Sequence, residues 1–330
     1  MTGPDGNPLR QALWPFGLLY GAAAALRNWT FDAGLRKVHR LPVPVISIGN
    51  LTVGGTGKTP AVAFVCQQAH ARGRRPGVLA RGYGRAPGQA LNDEGLMLQR
   101  KLPWLQQEQD PDRVAAGARL VGRNVDYVVL DDGFQHRRLH RDLDVVCLDA
   151  ALPFGGGSCL PAGDLREFRS GLRRAGMVLL TRADALAPED LPLRAARVRE
   201  LAGRGDLPVH ACRHGPSDVV AQPAGTVLPL HELRGRRAVL LCAIARPQSF
   251  RRTVEALGVE VVREFRHRDH HRFTAAEVDT AAQAAAAAGA LLLCTEKDDA
   301  RLLPFAVGRH VLRIDLQFLG EVPPAAEWLL

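Results

Sequence analysis

Short, almost continuously apolar segments alternate along this chain with longer stretches of helical spacing. After Pro42 and Pro44, Val45-Ile46-Ser47-Ile48 runs into a glycine-rich turn, and Thr59 to Arg72 then follows a helical pattern. Gly77-Val78-Leu79-Ala80, Tyr127-Val128-Val129-Leu130, Val145-Val146-Cys147-Leu148 and Met177-Val178-Leu179-Leu180 have strand length, and helical stretches such as Asp112 to Arg123 separate several of them. Strands apolar on both faces and joined through helices predict a parallel sheet covered on each side.

This alternation lapses around Arg213 to Leu233, where Pro, Gly and polar residues accumulate. A second set follows: strand Ala238 to Cys242, helix Pro247 to Leu257, strand Val259 to Phe265, helix Ala275 to Ala288 and strand Leu291 to Cys294. Alanine is the best helix former, so the alanine-rich stretch ending at Gly289 reads as helix. The expectation is a larger α/β domain over residues 35–222 and a smaller one over 223–330. A length of 330 residues suits two domains.

The stretch Ala12 to Leu26 is apolar but shorter than the about 20 residues that span a bilayer, and no signal-cleavage pattern follows it. Trp14 and Tyr20 suit the headgroup region, and Arg27, Arg36, Lys37 and Arg40 follow. Residues 1–34 therefore read as an interfacial, membrane-associated helix. Packing on the protein body is the plainer reading, and the two are compatible.

Composition narrows the classes only partly. A hydrophobic fraction of 46% excludes wholesale disorder. With 43 Lys and Arg against 34 Asp and Glu, the net charge of +9 favours an anionic partner, be it nucleic acid, an anionic membrane surface or a phosphorylated substrate. The six cysteines show no metal spacing and read as buried thiols in a reducing compartment.

Position decides among these partners. Thr52-Val53-Gly54-Gly55-Thr56-Gly57-Lys58-Thr59 lies between a buried strand and a helix, the setting of a phosphate-binding loop. Its backbone N–H groups and the helix N-terminus cradle phosphates of ATP, Lys58 reaches the β and γ phosphates, and Thr59 ligates Mg²⁺. Thr52 stands where G-x-x-x-x-G-K-[ST] begins with glycine, so the match is to a variant. Asp131 and Asp132 close a later strand, where such acids hold Mg²⁺ directly or through water; a turn or helix cap is the plainer reading of that pair.

Cations gather immediately after, in Gly133-Phe134-Gln135-His136-Arg137-Arg138-Leu139-His140-Arg141. Arg81-Gly82-Tyr83-Gly84-Arg85 follows the second strand and leads to Asn92-Asp93-Glu94-Gly95. A carboxylate there suits a proton acceptor, although ordinary loop acids look the same in sequence. In the second set, Arg268-Asp269-His270-His271 and Thr295-Glu296-Lys297-Asp298 each follow a strand, which places both at carboxyl ends. Adjacent histidines point in different directions and no third ligand at zinc spacing is visible, so one functional imidazole is expected rather than zinc.

Taken together these loops resemble the lipid A disaccharide 4'-kinase (tetraacyldisaccharide 4'-kinase) family. The shared residues are Gly49-Asn50-Leu51 through Thr59-Pro60, Arg81-Gly82-Tyr83-Gly84, Asp93-Glu94, Asp131 to His136, Leu160-Pro161-Ala162-Gly163, Leu165-Arg166-Glu167, Asp269-His270 and Thr295 to Asp298. Three positions depart: Asp164 and Phe168 stand where prolines are usual, and Ala243 replaces a common glycine. The resemblance implies transfer of the ATP γ-phosphate, with Mg²⁺, to the 4'-hydroxyl of a tetraacyldisaccharide 1-phosphate. It places this step of lipid A synthesis on the cytoplasmic face of the bacterial inner membrane, with peripheral or monotopic attachment. It also implies Asp93 as general base, oriented by His270, with Asp131 or Asp132 joining Thr59 at Mg²⁺ and the two domains closing over ATP from either side of this pair. A partition-type ATPase switch is the alternative, but such loops carry an additional lysine where this chain has Val53. No aromatic–basic stacking motif supports nucleic-acid binding.

Overall fold

The computed structural model describes residues 8–85 and 88–328, so residues 1–7 of the expected N-terminal segment lie outside the described residues. In chain order the elements begin with α1 (Pro8–Asp32), β1 (Val45–Gly49), α2 (Lys58–His70), β2 (Pro76–Ala80), α3 (Asp93–Lys101) and β3 (Gln106–Gln109). There follow α4 (Arg113–Gly122), β4 (Tyr127–Asp131), β5 (Leu143–Asp149), β6 (Met177–Thr181), α5 (Asp190–Ala202), β7 (Val209–Gln222) and β8 (Thr226–Leu228). The chain ends through β9 (Arg237–Cys242), α6 (Pro247–Ala256), β10 (Glu260–Arg266), α7 (Ala275–Ala287), β11 (Leu291–Thr295), α8 (Glu296–Arg301) and β12 (Arg309–Phe318).

Two compact units result, and each is woven from more than one stretch of chain. The first holds residues up to Gly84, Trp104–His214 and the segment from Leu316; the second holds Arg85–Pro103 and Gly215–Asp315. A single cut near residue 222 therefore misses the excursion of Arg85–Pro103. The excursion belongs with the second unit because α3 packs on α8, with Arg100 2.7 Å from Asp299 and Lys101 3.2 Å from Glu296.

In the first unit the strands run β7-β6-β5-β1-β4-β2-β3 and pair in parallel. Strands β1, β4 and β6 are buried along their whole length, as their continuous apolar runs require. Chain order reverses direction on either side of β1, whose neighbours are β4 and β5. The loops beyond these carboxyl ends frame the crevice where open α/β sheets bind ligands.

Helix α1 runs longer than the apolar core of its sequence and lies on this unit. No helix among the described residues is long and apolar enough to cross a membrane. Its buried and half-buried positions recur at helical spacing through Gly17, Gly21, Ala24, Asn28 and Phe31. The approach is close: a Cβ on Gly17 would stand 2.8 Å from the Cys159 carbonyl oxygen, and one on Gly21 2.5 Å from the Phe168 ring. On the other side Trp14, Phe16, Leu19, Tyr20, Leu26 and Trp29 are exposed.

The second unit has the parallel order β10-β9-β11-β12, with β8 antiparallel to the later part of β7. Alternate residues of β9 enter different cores. Val239 and Leu241 join Val278, Ala281 and Ala285 of α7, whereas Ala238 and Leu240 join Phe250 and Val254 of α6. This period of two puts one helix on each face of the sheet. The alanine-rich segment is helical as expected, started by a reciprocal capping box between Thr274 and Glu277.

Candidate active site

In the first unit, Thr52 to Gly57 leave the buried end of β1 and turn into α2 at Lys58. Thr52 and Thr56 are buried, whereas Val53, Gly54 and Gly55 are exposed. Gly57 is the N-cap at φ 79°, a left-handed conformation that glycine adopts without strain. A Cβ there would also collide with His214, at 1.9 Å from Cε1. Burial, then the nearby Arg182, pushes the His214 imidazole down to about 4, so it supports the loop as a neutral ring. Thr181 Oγ1 donates to the Thr56 carbonyl at 2.8 Å, Arg182 donates to the Gly55 carbonyl, and Val53 N donates to the Asp164 carbonyl at 2.7 Å. The loop is thus fixed through the carbonyls of Gly55 and Thr56 and the N–H of Val53.

Asp131 ends β4 in a buried position, and Asp132 follows at φ 52°. Asp132 lies 3.4 Å from Lys58 Nζ and accepts from Arg166 Nη1 at 2.9 and 2.8 Å. Burial pushes its carboxyl upward, but Lys58 and Arg166 outweigh burial and hold it below the usual range. The Thr59 hydroxyl with the carboxylates of Asp131 and Asp132 offers hard oxygen donors only, and the cations already drawn to Asp132 show how strongly it attracts positive charge. This set fits Mg²⁺.

The run after Asp132 is tied to α1. Gln135 Nε2 donates to Glu167 Oε1 at 2.9 Å, Asn28 Nδ2 to Glu167 Oε2 at 2.8 Å, and Arg137 Nη1 to the Asn28 carbonyl at 2.8 Å. The cations of this run are therefore partly committed to structure.

In the second unit, Asp93 opens α3 rather than sitting in a loop, because the Asn92 side chain caps the helix by accepting from Gly95 N at 3.0 Å. Asp93 Oδ2 accepts from Arg301 Nε at 2.7 Å and lies 3.4 Å from His270 Nδ1. The pair lies inside one unit, where the linear division would have split it. Arg301, nearly inaccessible on α8, also donates to the Ala243 carbonyl at 2.7 Å and approaches Asp298 Oδ1 at 3.3 Å. Asp298 is fully buried, and burial pushes its carboxyl up despite bonds from Thr295 Oγ1 at 2.6 Å and Ala243 N at 3.0 Å. On the imidazole, Arg301 Nη2 stands 3.3 Å from Nδ1 and Lys297 Nζ 3.3 Å from Nε2. A neutral ring accepts at only one nitrogen, so these two cations compete to set its tautomer.

The three departures find places in this framework. Asp164 serves through its carbonyl, Phe168 packs against Gly21, and Ala243 is absent from the positive-φ residues, so alanine is unstrained there. Of the four described non-glycine residues at positive φ, three belong to these sites: Asp132, Arg182 and His270. Such strain concentrates where side-chain direction matters. Arg301 was missed in the sequence, although its i+3 spacing from Asp298 puts both on one face of a helix. His214 and Arg182 carry no local signal, because a distant fold contact makes their roles.

A parallel sheet with a P-loop at its switch point and paired acids on the neighbouring strand end defines the P-loop kinase fold. The family model for tetraacyldisaccharide-1-P 4'-kinase matches residues 9–330, and the chain belongs to that family. The tetraacyldisaccharide 4'-kinase of Anaeromyxobacter sp. (strain Fw109-5) is 47% identical over 302 residues, covering 87% of this chain and 81% of the relative. That of Anaeromyxobacter dehalogenans (strain 2CP-C) is 44% identical over 336 residues, covering 95% and 87%. The crystal structure of "apo" form LpxK from Aquifex aeolicus in complex with ATP superposes with a TM-score of 0.76 at 27% identity, covering 94% of this chain and 95% of that one.

Proposed function

We propose that this chain transfers the γ-phosphate of ATP to the 4'-hydroxyl of a tetraacyldisaccharide 1-phosphate, a step of lipid A synthesis at the cytoplasmic face of the bacterial inner membrane. The observation that carries this reading is the Lys58–Asp132–Arg166 cluster at the sheet's switch point, in a chain whose family match runs from residue 9 to 330. The α2 N-terminus and Lys58 bind the β and γ phosphates. Thr59, Asp131 and Asp132 would hold Mg²⁺, which when bound neutralises charge on the phosphate oxygens.

Asp93 takes the proton of the 4'-hydroxyl as its oxygen bonds to the γ-phosphorus, and the bond from that phosphorus to the β–γ bridging oxygen breaks, releasing ADP. Arg301 and His270 both meet Oδ2 of Asp93, which leaves Oδ1 to accept the proton. The exposed face of α1 and the cations after it support attachment to an anionic membrane surface.

Purified full-length chain should transfer labelled γ-phosphate to the disaccharide 1-phosphate lipid in mixed micelles. Lys58→Ala should abolish transfer while the circular dichroism and unfolding midpoint hold, because the change removes a phosphate contact and little packing. Near-normal turnover in that variant would refute the P-loop role, and ATP turnover driven by DNA instead of lipid would favour the switch-ATPase reading.

A further inference from the structure

His270 and His271 are neighbours in the chain and face different partners. His270 turns to Asp93 and Arg301, whereas His271 Nε2 lies 3.1 and 3.0 Å from Glu277 Oε1 and Oε2. His267 comes to the same carboxylate, with Nδ1 3.5 Å from Oε1. The two rings stack with centroids 4.5 Å apart and planes 13° from parallel. One ligand atom from each of the three residues lies within 4.8 Å of the other two. We propose that His267, His271 and Glu277 form a binding site for a divalent transition metal of the Zn²⁺ type, distinct from the Mg²⁺–ATP chemistry.

The distances admit a metal as well as imidazole–carboxylate hydrogen bonds. Four-coordinate Zn²⁺ with bonds of about 2.0–2.1 Å has ligand-to-ligand edges of roughly 3.3–3.4 Å. The contacts of 3.1 and 3.5 Å to Glu277 Oε1 bracket that value. The third edge, between the imidazole nitrogens, lies within 4.8 Å and would have to shorten on binding, with the stacked rings turning toward the ion. Capping explains one part of the arrangement, since Thr274 N and Oγ1 donate to Glu277 Oε2 at 2.8 and 3.0 Å. It does not explain why a second imidazole stacks on the first and meets the same carboxylate. For a metal, the cap becomes the outer-shell support that fixes Glu277 and leaves Oε1 for coordination.

Two imidazoles and one carboxylate suit Zn²⁺ better than Mg²⁺, which prefers oxygen alone. All three groups are half-buried, so an ion can enter and keep a water as fourth ligand. All six thiols are buried and offer no competing exposed soft site. His267 directly follows β10 and Glu277 lies in the first turn of α7, so a bound ion would clamp the turn that carries His270.

The test is titration of chelator-treated full-length protein with Zn²⁺ in excess Mg²⁺, followed by calorimetry, together with Co²⁺ absorption spectra. The expected result is one Zn²⁺ per chain, an intense visible Co²⁺ band typical of four-coordination, and at least about tenfold weaker binding in His267→Gln and Glu277→Gln. Glutamine serves at the third position of a capping box, so Glu277→Gln should keep its helix start. Absence of binding in the unmodified protein, or equal affinity in both variants, would overturn the site. Should either variant misfold, the Co²⁺ spectrum of the unmodified chain decides, and a weak octahedral spectrum rejects the proposal.

Discussion

At Asp93 one carboxylate oxygen meets both a buried guanidinium and an imidazole, which makes the three side chains one unit rather than three contributors. If Asp93 takes the hydroxyl proton, Asp93→Ala should lower kcat by roughly 10²-fold or more with modest change in KM. His270→Ala should act in the same direction, and the double variant should resemble the worse single one, because a partner without its acceptor has little left to orient. Single-turnover kinetics at saturating ATP and lipid separate chemistry from product release. Small effects that multiply would dissolve the unit. Asp93 and His270 were legible in the sequence through their motifs, but the guanidinium between them was not. The i+3 spacing of Arg301 from Asp298 is its one trace in the sequence, and only the fold of α8 turns it inward to Asp93.

Among the elements, strands and long helices followed directly from the apolar pattern, since buried parallel strands and 3.6-residue stripes leave strong periodic traces. The short polar helix α3 did not, being nine residues long with only Gly95 and Leu98 buried. The loop after β4 shows the same limit in its charges. His136 accepts a contact from Arg113 Nη1 at 3.3 Å, and burial, followed by Arg113 and neighbouring arginines, pushes its imidazole from 6.5 down to about 4. The folded state thus binds fewer protons at His136 than the unfolded chain does between those values. Its contribution to stability is complete above about 6.5 and is lost as pH falls toward about 4. Urea unfolding at pH 7 and pH 5 should show lower stability at pH 5, and His136→Gln should reduce that difference, leaving the share of the similarly depressed His214. An unchanged pH dependence in the variant would exclude His136 as its source.

Across the whole molecule, the interleaving of units was illegible because β7 continues through Gly215-Pro216, the region whose Pro, Gly and polar content reads as a linker. Its pairing with β6 at one end and β8 at the other outweighs that local signal. The N-terminal helix was legible on both its faces, since the same sequence predicts packing and an exposed apolar side. Gly17 and Gly21 serve the first, and Phe16, Leu19 and Trp29 serve the second. The two faces should therefore separate by mutation. Phe16→Ser, Leu19→Ser and Trp29→Ser combined remove exposed apolar surface, so the unfolding midpoint should hold. Binding to anionic vesicles in a sedimentation assay should weaken by at least about tenfold, given about 1.5–3 kcal/mol for each large side chain fully buried. Gly21→Leu should do the reverse, lowering the midpoint through collision with Phe168. Salt should weaken the remaining attachment of the triple variant more than that of the unmodified chain, because Arg36, Lys37 and Arg40 act through screened attraction. Unchanged vesicle binding in the triple variant would place membrane attachment on a surface other than α1.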